Sequence, residues 1–546
     1  MARLTRRRFL TLAGGTVVMV ACADDSTGDE TAPPTSTPET TSTSTTTEAP
    51  TTTSTAPRPE PRLWVNDGSD AIPDSVPGSP ERVVVVGAGM AGLAAAKALY
   101  LSGVDVTVIE ARDRVGGRTH TVDLQGAAVD LGASWVHPGK ASVLVQLFDE
   151  LDVELLPASL DEIVTTASLF DRATGAFPGT DLVPTLTNLL LTANFGDPGV
   201  VLTGPPDETF AAMLDRLAAA DGASGAALDA ATNATEGLLG LFGGDELGPT
   251  PAAAWFGVGD GEGDDESAAE GADADTETRA PVDLDEALGE ADFTDHFPDG
   301  GYGTLVDALA DGLDVLLDAP VAAIDADDDG VSVELEDGTQ LEASHVLVTI
   351  PIGPLKTGLI RFTPELDADK QMAIDHIGMG EFEKVAVAYD EPWWHLDDGP
   401  NSIVLADPNG RAWPLVIDLS AWYGSPVLLA TTPGTHARET SGLTEQERID
   451  SLTDILREFG GDAAASPLAS AASAWTTSPY TGGCYSNLND PDASGDDMRA
   501  LARPMGRVLF AGEATDPNEF ATVDGAWLTG IREAKRLLRQ AEVPAL

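Results

Sequence analysis

The sequence predicts an α/β fold centred on a parallel sheet, and three observations within residues 82–118 predict it. Val83, Val84, Val85 and Val86 form an unbroken apolar run ahead of a glycine turn, the pattern of a strand covered on both faces. Residues 91–101, after the turn, carry a helical pattern. Residues 104–109 then form a second apolar strand that ends at Glu110. That acid stands about 20 residues beyond the turn, where a carboxylate accepts hydrogen bonds from a ribose diol. Strand, turn, helix, strand and acid in register predict a Rossmann-like dinucleotide site. Gly87 permits the tight turn, Gly89 lets a pyrophosphate approach the backbone, and Gly92 lets helix and strand pack closely, with the helix N-terminus toward the phosphates.

At 546 residues the chain is long enough for two sizeable domains with separate cores. Thirty Lys and Arg stand against 90 Asp and Glu, a formal net charge of −60. Such a surface repels nucleic acid and anionic membranes and attracts cationic ligands, while the plainer reading of the charge is solvation in a salty medium. The lysines are Lys97, Lys140, Lys356, Lys370, Lys384 and Lys535, so one placed in a buried strand stands out. Cys22 and Cys484 are the two cysteines, which rules out a multi-bridge disulfide framework.

Residues 1–22 read as an export signal. Thr5 to Leu10 contain the twin-arginine pattern, and the apolar run to Ala21 is shorter than the ~20 residues a spanning helix needs. Met19, Val20, Ala21 and Cys22 resemble a lipoprotein cleavage box, with Met19 and Val20 departing from the usual residues. The expected location is the cell surface or exterior, with membrane contact only through a lipid anchor at Cys22. Residues 23–79 form a Thr/Pro-rich linker that cannot bury enough surface to offset its ordering entropy.

Glu110, Ala111, Arg112, Asp113, Arg114, Val115, Gly116, Gly117 and Arg118 resemble the second signature of the flavin-containing amine oxidases, the family of monoamine and polyamine oxidases. The resemblance implies FAD rather than NAD, held by this segment with Arg112 among the binding residues and Arg118 near the pyrophosphate. It implies a glutathione-reductase-like FAD-binding domain in three parts, 80–139, 296–355 and 478–546. An interleaved α+β substrate domain takes residues 140–295 and 356–477. Further motifs follow in the family's order. Gly132 to Pro138 resembles the segment beside the flavin ring, which gives Trp135 and His137 a part in orienting substrate; the alternative for His137 is a structural histidine. Val321 is the adenine-side backbone contact. Lys384, three residues into an apolar strand, matches the lysine that holds a water at flavin N5. Cys484 and Tyr485 stand where monoamine oxidases carry a cysteine joined to the flavin and an aromatic flanking the substrate; the alternative for Cys484 is a small buried residue. Glu513 falls on the ribityl and phosphate region. Thr522 and Val523 open the final helix, whose N–H groups point at flavin carbonyl and phosphates.

The implied reaction oxidises a primary or secondary amine to an imine and then an aldehyde, with hydride moving to flavin N5 and oxygen becoming peroxide. The usual second aromatic wall is missing at Thr522 and Glu519, and the Glu519 carboxylate is expected to pair with a second ammonium of a di- or polyamine. An L-amino acid oxidase is the alternative enzyme, which needs an arginine for the substrate carboxylate. A non-catalytic flavin-bound surface protein is the other. Asp325, Asp327, Asp329, Gly330 and Glu336 match EF-hand spacing, but Val331, Val333 and Leu335 alternate as a strand, so no metal site is assigned. The acidic stretch 257–290 reads as a solvated loop, with a lid near the entrance as the alternative.

Overall fold

The computed structural model describes residues 76–137, 142–158, 294–394 and, with a gap at 491, 413–539, together with 63–64, parts of 163–175, most of 208–243, 402–407 and 543–544. The export signal, Cys22, nearly all of the linker and the stretch 257–290 lie outside the described residues.

Five parallel strands form the central sheet, in the order Val508–Phe510, His345–Val348, Arg82–Val86, Asp105–Ile109 and Asp314–Leu316. Its two covers explain the four-valine run. Val83 and Val85 pack into a core built from the helices Met90–Leu101 and Val523–Leu538. Val84 and Val86 face the other way, against Val321, Ile324, Val331 and Val333. Those residues belong to a four-stranded sheet, Gln340–Ala343, Val331–Leu335, Val321–Ala326 and Arg361–Thr363. The segment with EF-hand spacing is therefore the turn of a hairpin. Asp327 Oδ1 accepts the N–H groups of Asp329 and Gly330 at 2.8 and 3.0 Å, an Asx turn that occupies the carboxylate locally.

A second, six-stranded sheet runs Ala469–Ala472, Phe382–Ala388, Val427–Pro433, Leu415–Asp418, Ser402–Ala406 and Ser168–Asp171. Its strands alternate faces with a period of two. Val385, Val387, Val416 and Leu428 bury against the helix Glu445–Gly460. Ala386, Ala388, Leu415 and Leu429 bury with Phe210, Met213 and Leu214 of the helix Phe210–Ala220. The sequence segments 382–389, 413–419 and 427–432, each read as a strand, form three of these six. The strands Ser402–Ala406 and Ser168–Asp171, and the hairpin Thr121–Leu124 with Ala127–Asp130, were not anticipated.

Close backbone approach sets the packing of the nucleotide end. A Cβ on Gly92 would lie 1.9 Å from Gly87 O, as the predicted helix-to-strand contact requires, and one on Gly530 would lie 2.2 Å from Ala91 O. The final helix thus rests directly on the backbone of the first. Gly530→Ala is expected to cost about 1–3 kcal/mol by forcing the two helices apart, read as a lowered melting temperature of the holoprotein. An unchanged melting temperature would show that the contact yields freely.

Candidate active site

The site begins at the glycine turn. Gly87 has φ +108°, which excludes most side chains, and its N–H donates to Ile109 O at 2.7 Å. The helix Met90–Leu101 starts at Gly89 with no side-chain cap and no acid in its first turn. Its first N–H groups therefore remain available to an anion. Glu110 braces this turn, accepting Ala88 N–H at 2.9 Å and Arg112 N–H at 3.1 Å. Both carboxylate oxygens keep lone pairs for a diol.

A cavity of about 480 Å³ extends from this turn. Gly87, Gly89, Glu110, Arg112, Arg118 and Val321 line it, and so do Trp135, His137, Lys384, Cys484, Tyr485, Glu513, Thr522 and Val523. Of the predicted residues Gly92 and Glu519 stay off the wall, Gly92 in the packing role just described. An uncapped helix start, a glycine cradle and a carboxylate at the second strand's end together fit a dinucleotide.

Several side chains are engaged differently from the sequence expectation. Arg118 Nη1 donates to Glu513 Oε1 at 2.8 Å and to Cys484 O at 2.9 Å, so arginine and glutamate pair with each other. Glu513 also accepts the Ser486 hydroxyl and, at 2.8 Å, Ala521 N–H. Thr522 caps the final helix: its hydroxyl accepts Gly525 N–H at 2.9 Å and donates to Glu519 O. The first-turn donors left to a ligand are those of Val523 and Asp524, both on the wall. Glu519 is a correction. It does not line the cavity, and Phe520 does; the Glu519 backbone packs on the helix start, its carbonyl accepting the Thr522 hydroxyl, and the left-handed turn at Ala521, φ +63°, lies between Phe520 and Thr522. Arg112 and Arg114 stack over Trp475, their guanidinium carbons 5.7 and 5.8 Å from its ring centroid. Burial lowers the pKa of both, that of Arg114 to about 10.

Lys384 sits on the strand Phe382–Ala388, in register with Thr431 of the neighbouring strand, and both line the cavity. Its buried Nζ donates to Gly132 O and Ser134 Oγ, each at 2.6 Å, with a longer 3.4 Å contact to Asp130 O. It also lies 5.3 Å from the Trp135 ring centroid. Burial lowers the pKa of Lys384 and raises that of Asp130, while their mutual attraction opposes both shifts. Trp135 is held by Nε1 donating to Ala158 O and by packing on Phe297. Tyr485 O accepts Gly380 N–H at 2.7 Å and Cys484 N–H donates to Gly380 O at 2.9 Å, which clamps the Cys484–Tyr485 backbone beside the lysine strand. Gly483, φ +144°, makes that approach possible, since a Cβ there would meet Gly380 O at 2.5 Å. Cys484 is a free thiol, and burial pushes its pKa well up. His137 Nδ1 lies 2.9 Å from Asp295 Oδ1. Asp295, Asp524 and Phe520 line the wall without having been singled out; only Asp524, in the first turn of the final helix, carried a local signal.

Fold and cavity define a dinucleotide-binding α/β protein. The chain belongs to the flavin-containing amine oxidoreductase family, whose profile matches residues 90–538. Polyamine oxidase 4 of Oryza sativa subsp. japonica is 30% identical over 491 residues, 86% of this chain and 91% of that protein. Lysine-specific histone demethylase 1 homolog 3 of Oryza sativa subsp. indica is 31% identical across 87% of this chain, which spans 56% of that protein. A solved structure of wild-type putrescine oxidase bound to putrescine shares the fold, with a TM-score of 0.59 at 23% identity, covering 84% of this chain and 99% of that one. FAD is the cofactor, and the protein is an FAD-dependent amine oxidoreductase.

His120 borders this site edge-on to Trp475, its ring centroid 6.3 Å away. Burial, then Arg114 and Arg112, lower its pKa from 6.5 to about 4. The unfolded chain binds this proton from about pH 6.5 downward whereas the folded one does not, so folding stability falls as pH drops from about 6.5 to 4. His120→Gln is expected to flatten melting temperature against pH in that window; an unaltered slope refutes the assignment.

Proposed function

We propose that the protein oxidises a primary or secondary amine to an imine, which water converts to an aldehyde, with oxygen reduced to hydrogen peroxide. The observation that carries the reading is the buried Lys384 on the cavity wall, held against Ser134 and Trp135. FAD, when bound, takes a hydride from the carbon beside the nitrogen and passes the electrons to oxygen. The helix start at Gly89 to Ala91, Glu110, Val321, and the first turn at Val523 and Asp524 are the groups assigned to hold it. The chain's own task at the reacting end is to orient the amine and exclude water. Trp135, Phe382 and Tyr485 supply apolar walls. Lys384 holds its proton less tightly than a surface lysine because burial penalises the ammonium. Its 3.4 Å contact to Asp130 O is long enough to give way to a water, which supports a lysine-held water at the reacting centre.

The amino acid oxidase alternative wants an arginine free for a carboxylate. Of the two on the described cavity wall, Arg118 is paired with Glu513, and Arg112 is stacked over Trp475 at the dinucleotide end beside Glu110. The twin-arginine pattern and Cys22 support export and a lipid anchor as a further part of this proposal.

A coupled peroxide assay across monoamines, polyamines and L-amino acids is expected to respond to amines alone. Lys384→Met should retain bound FAD yet slow flavin reduction or reoxidation by on the order of 100-fold or more; turnover at the wild-type rate removes Lys384 from the mechanism. We also assign a thioether between Cys484 and the flavin 8α-methyl carbon, supported by the position of Cys484 on the wall; it would form with loss of the thiol proton and one methyl hydrogen, the flavin ring taking the two electrons and oxygen reoxidising it. Acid precipitation should leave flavin with the wild-type protein and release it from Cys484→Ser. A yellow supernatant from the wild type rules the bond out.

A further inference from the structure

Four carboxylates line the described cavity: Glu110, Asp295, Glu513 and Asp524. Three are engaged by hydroxyl, guanidinium or backbone donors of the chain. Glu110 takes the N–H groups of Ala88 and Arg112. Glu513 takes Arg118, Ser486 and Ala521 N–H. Asp524 Oδ1 takes the Ser142 hydroxyl at 3.0 Å and Val143 N–H at 3.1 Å, capping the helix Val143–Glu150.

Asp295 is held otherwise. Its residue is only 7% exposed, and its carboxylate meets the imidazole of His137, which is 42% exposed. An imidazole is an exchangeable partner, since it carries a charge or none within the ordinary pH range. A carboxylate has about four lone-pair sites, of which one ring nitrogen takes one. The placement is built by the backbone. Val136 and His296 exchange both hydrogen bonds, at 2.8 and 3.0 Å, which sets their neighbours His137 and Asp295 side by side. Ala158 N–H donates to Asp295 O at 2.7 Å, tying the acid to the residue that anchors Trp135. Trp135 lies under Lys384, and His137 is two residues further on, at most about 7 Å along the chain. A cation a few carbons away from an amine at Lys384 therefore comes within reach of Asp295.

We propose that Asp295 is the residue that selects a substrate with a second ammonium, a diamine or polyamine, with His137 sharing or yielding the carboxylate when that ammonium binds. In a mostly apolar cavity an opposite charge at this point is worth far more than in water. The inference rests on the amine oxidation proposed above.

The test is peroxide formation by the holoenzyme with 1,4-diaminobutane and with butylamine, which differ by one ammonium. The wild type should favour the diamine in kcat/KM by tenfold or more. Asp295→Asn should lower the diamine-to-monoamine ratio at least tenfold, chiefly through KM, and Asp295→Glu should recover part of it, with the flavin absorbance of each variant confirming the fold. A wild type that oxidises both amines equally, or a ratio that Asp295→Asn leaves unchanged, overturns the role of Asp295 while the oxidase reading stands. Peroxide from neither of these substrates nor from any other amine defeats the oxidase reading itself.

Discussion

The buried carboxylate of Glu513 gathers three stretches of chain that are far apart in sequence. Arg118 reaches it from the second signature, Ser486 from the segment that carries Cys484 and Tyr485, and Ala521 from the turn before the final helix. Removing one partner of such a buried pair typically costs about 3–5 kcal/mol, because the other charge stays out of water. Here the consequence is also geometric. The same Arg118 holds Cys484 O, so the pairing sets one wall of the cavity as well as stabilising it.

The opposite wall depends on a second buried charge. Lys384 belongs to the six-stranded sheet, yet its ammonium is satisfied by Gly132 O and Ser134 Oγ, just beyond the hairpin that ends at Asp130. Asp130 in turn accepts Tyr302 N–H and the Thr121 hydroxyl, and Tyr302 donates to Trp135 O. One lysine thereby joins the six-stranded sheet to the segment that carries Trp135 and His137. An ammonium this dry is costly unless each hydrogen finds an acceptor, which is why a change at Ser134 or Gly132 bears on how Lys384 is held.

Much of the site was legible because its signals are local. A four-valine strand, a glycine turn and an acid at the next strand's end are read within 28 residues, from Val83 to Glu110, and the structure sets them in register. Lys384 stood out because a lysine inside an apolar strand needs a partner, and the partner proved to be backbone carbonyl and hydroxyl. Glu519 misled for an equally physical reason. Its position in the sequence suits the cavity, but the left-handed Ala521 turns the chain so that Phe520 takes the wall. Asp295 carried no pattern at all, being one acid in a chain rich in them.

The sequence by itself determined the parallel sheet, the dinucleotide cradle and the family, and it set Lys384 apart inside an apolar strand, since each rests on periodicity or on residue types a few positions apart. Only the tertiary structure decided which charges are spent on the fold and which stay open to a ligand. Arg118 and Glu513 pair across 395 positions, and Asp295 meets His137 across 158. Hydrogen-bond partners at such separations are chosen by how sheets and helices pack, and no run of residues records that choice.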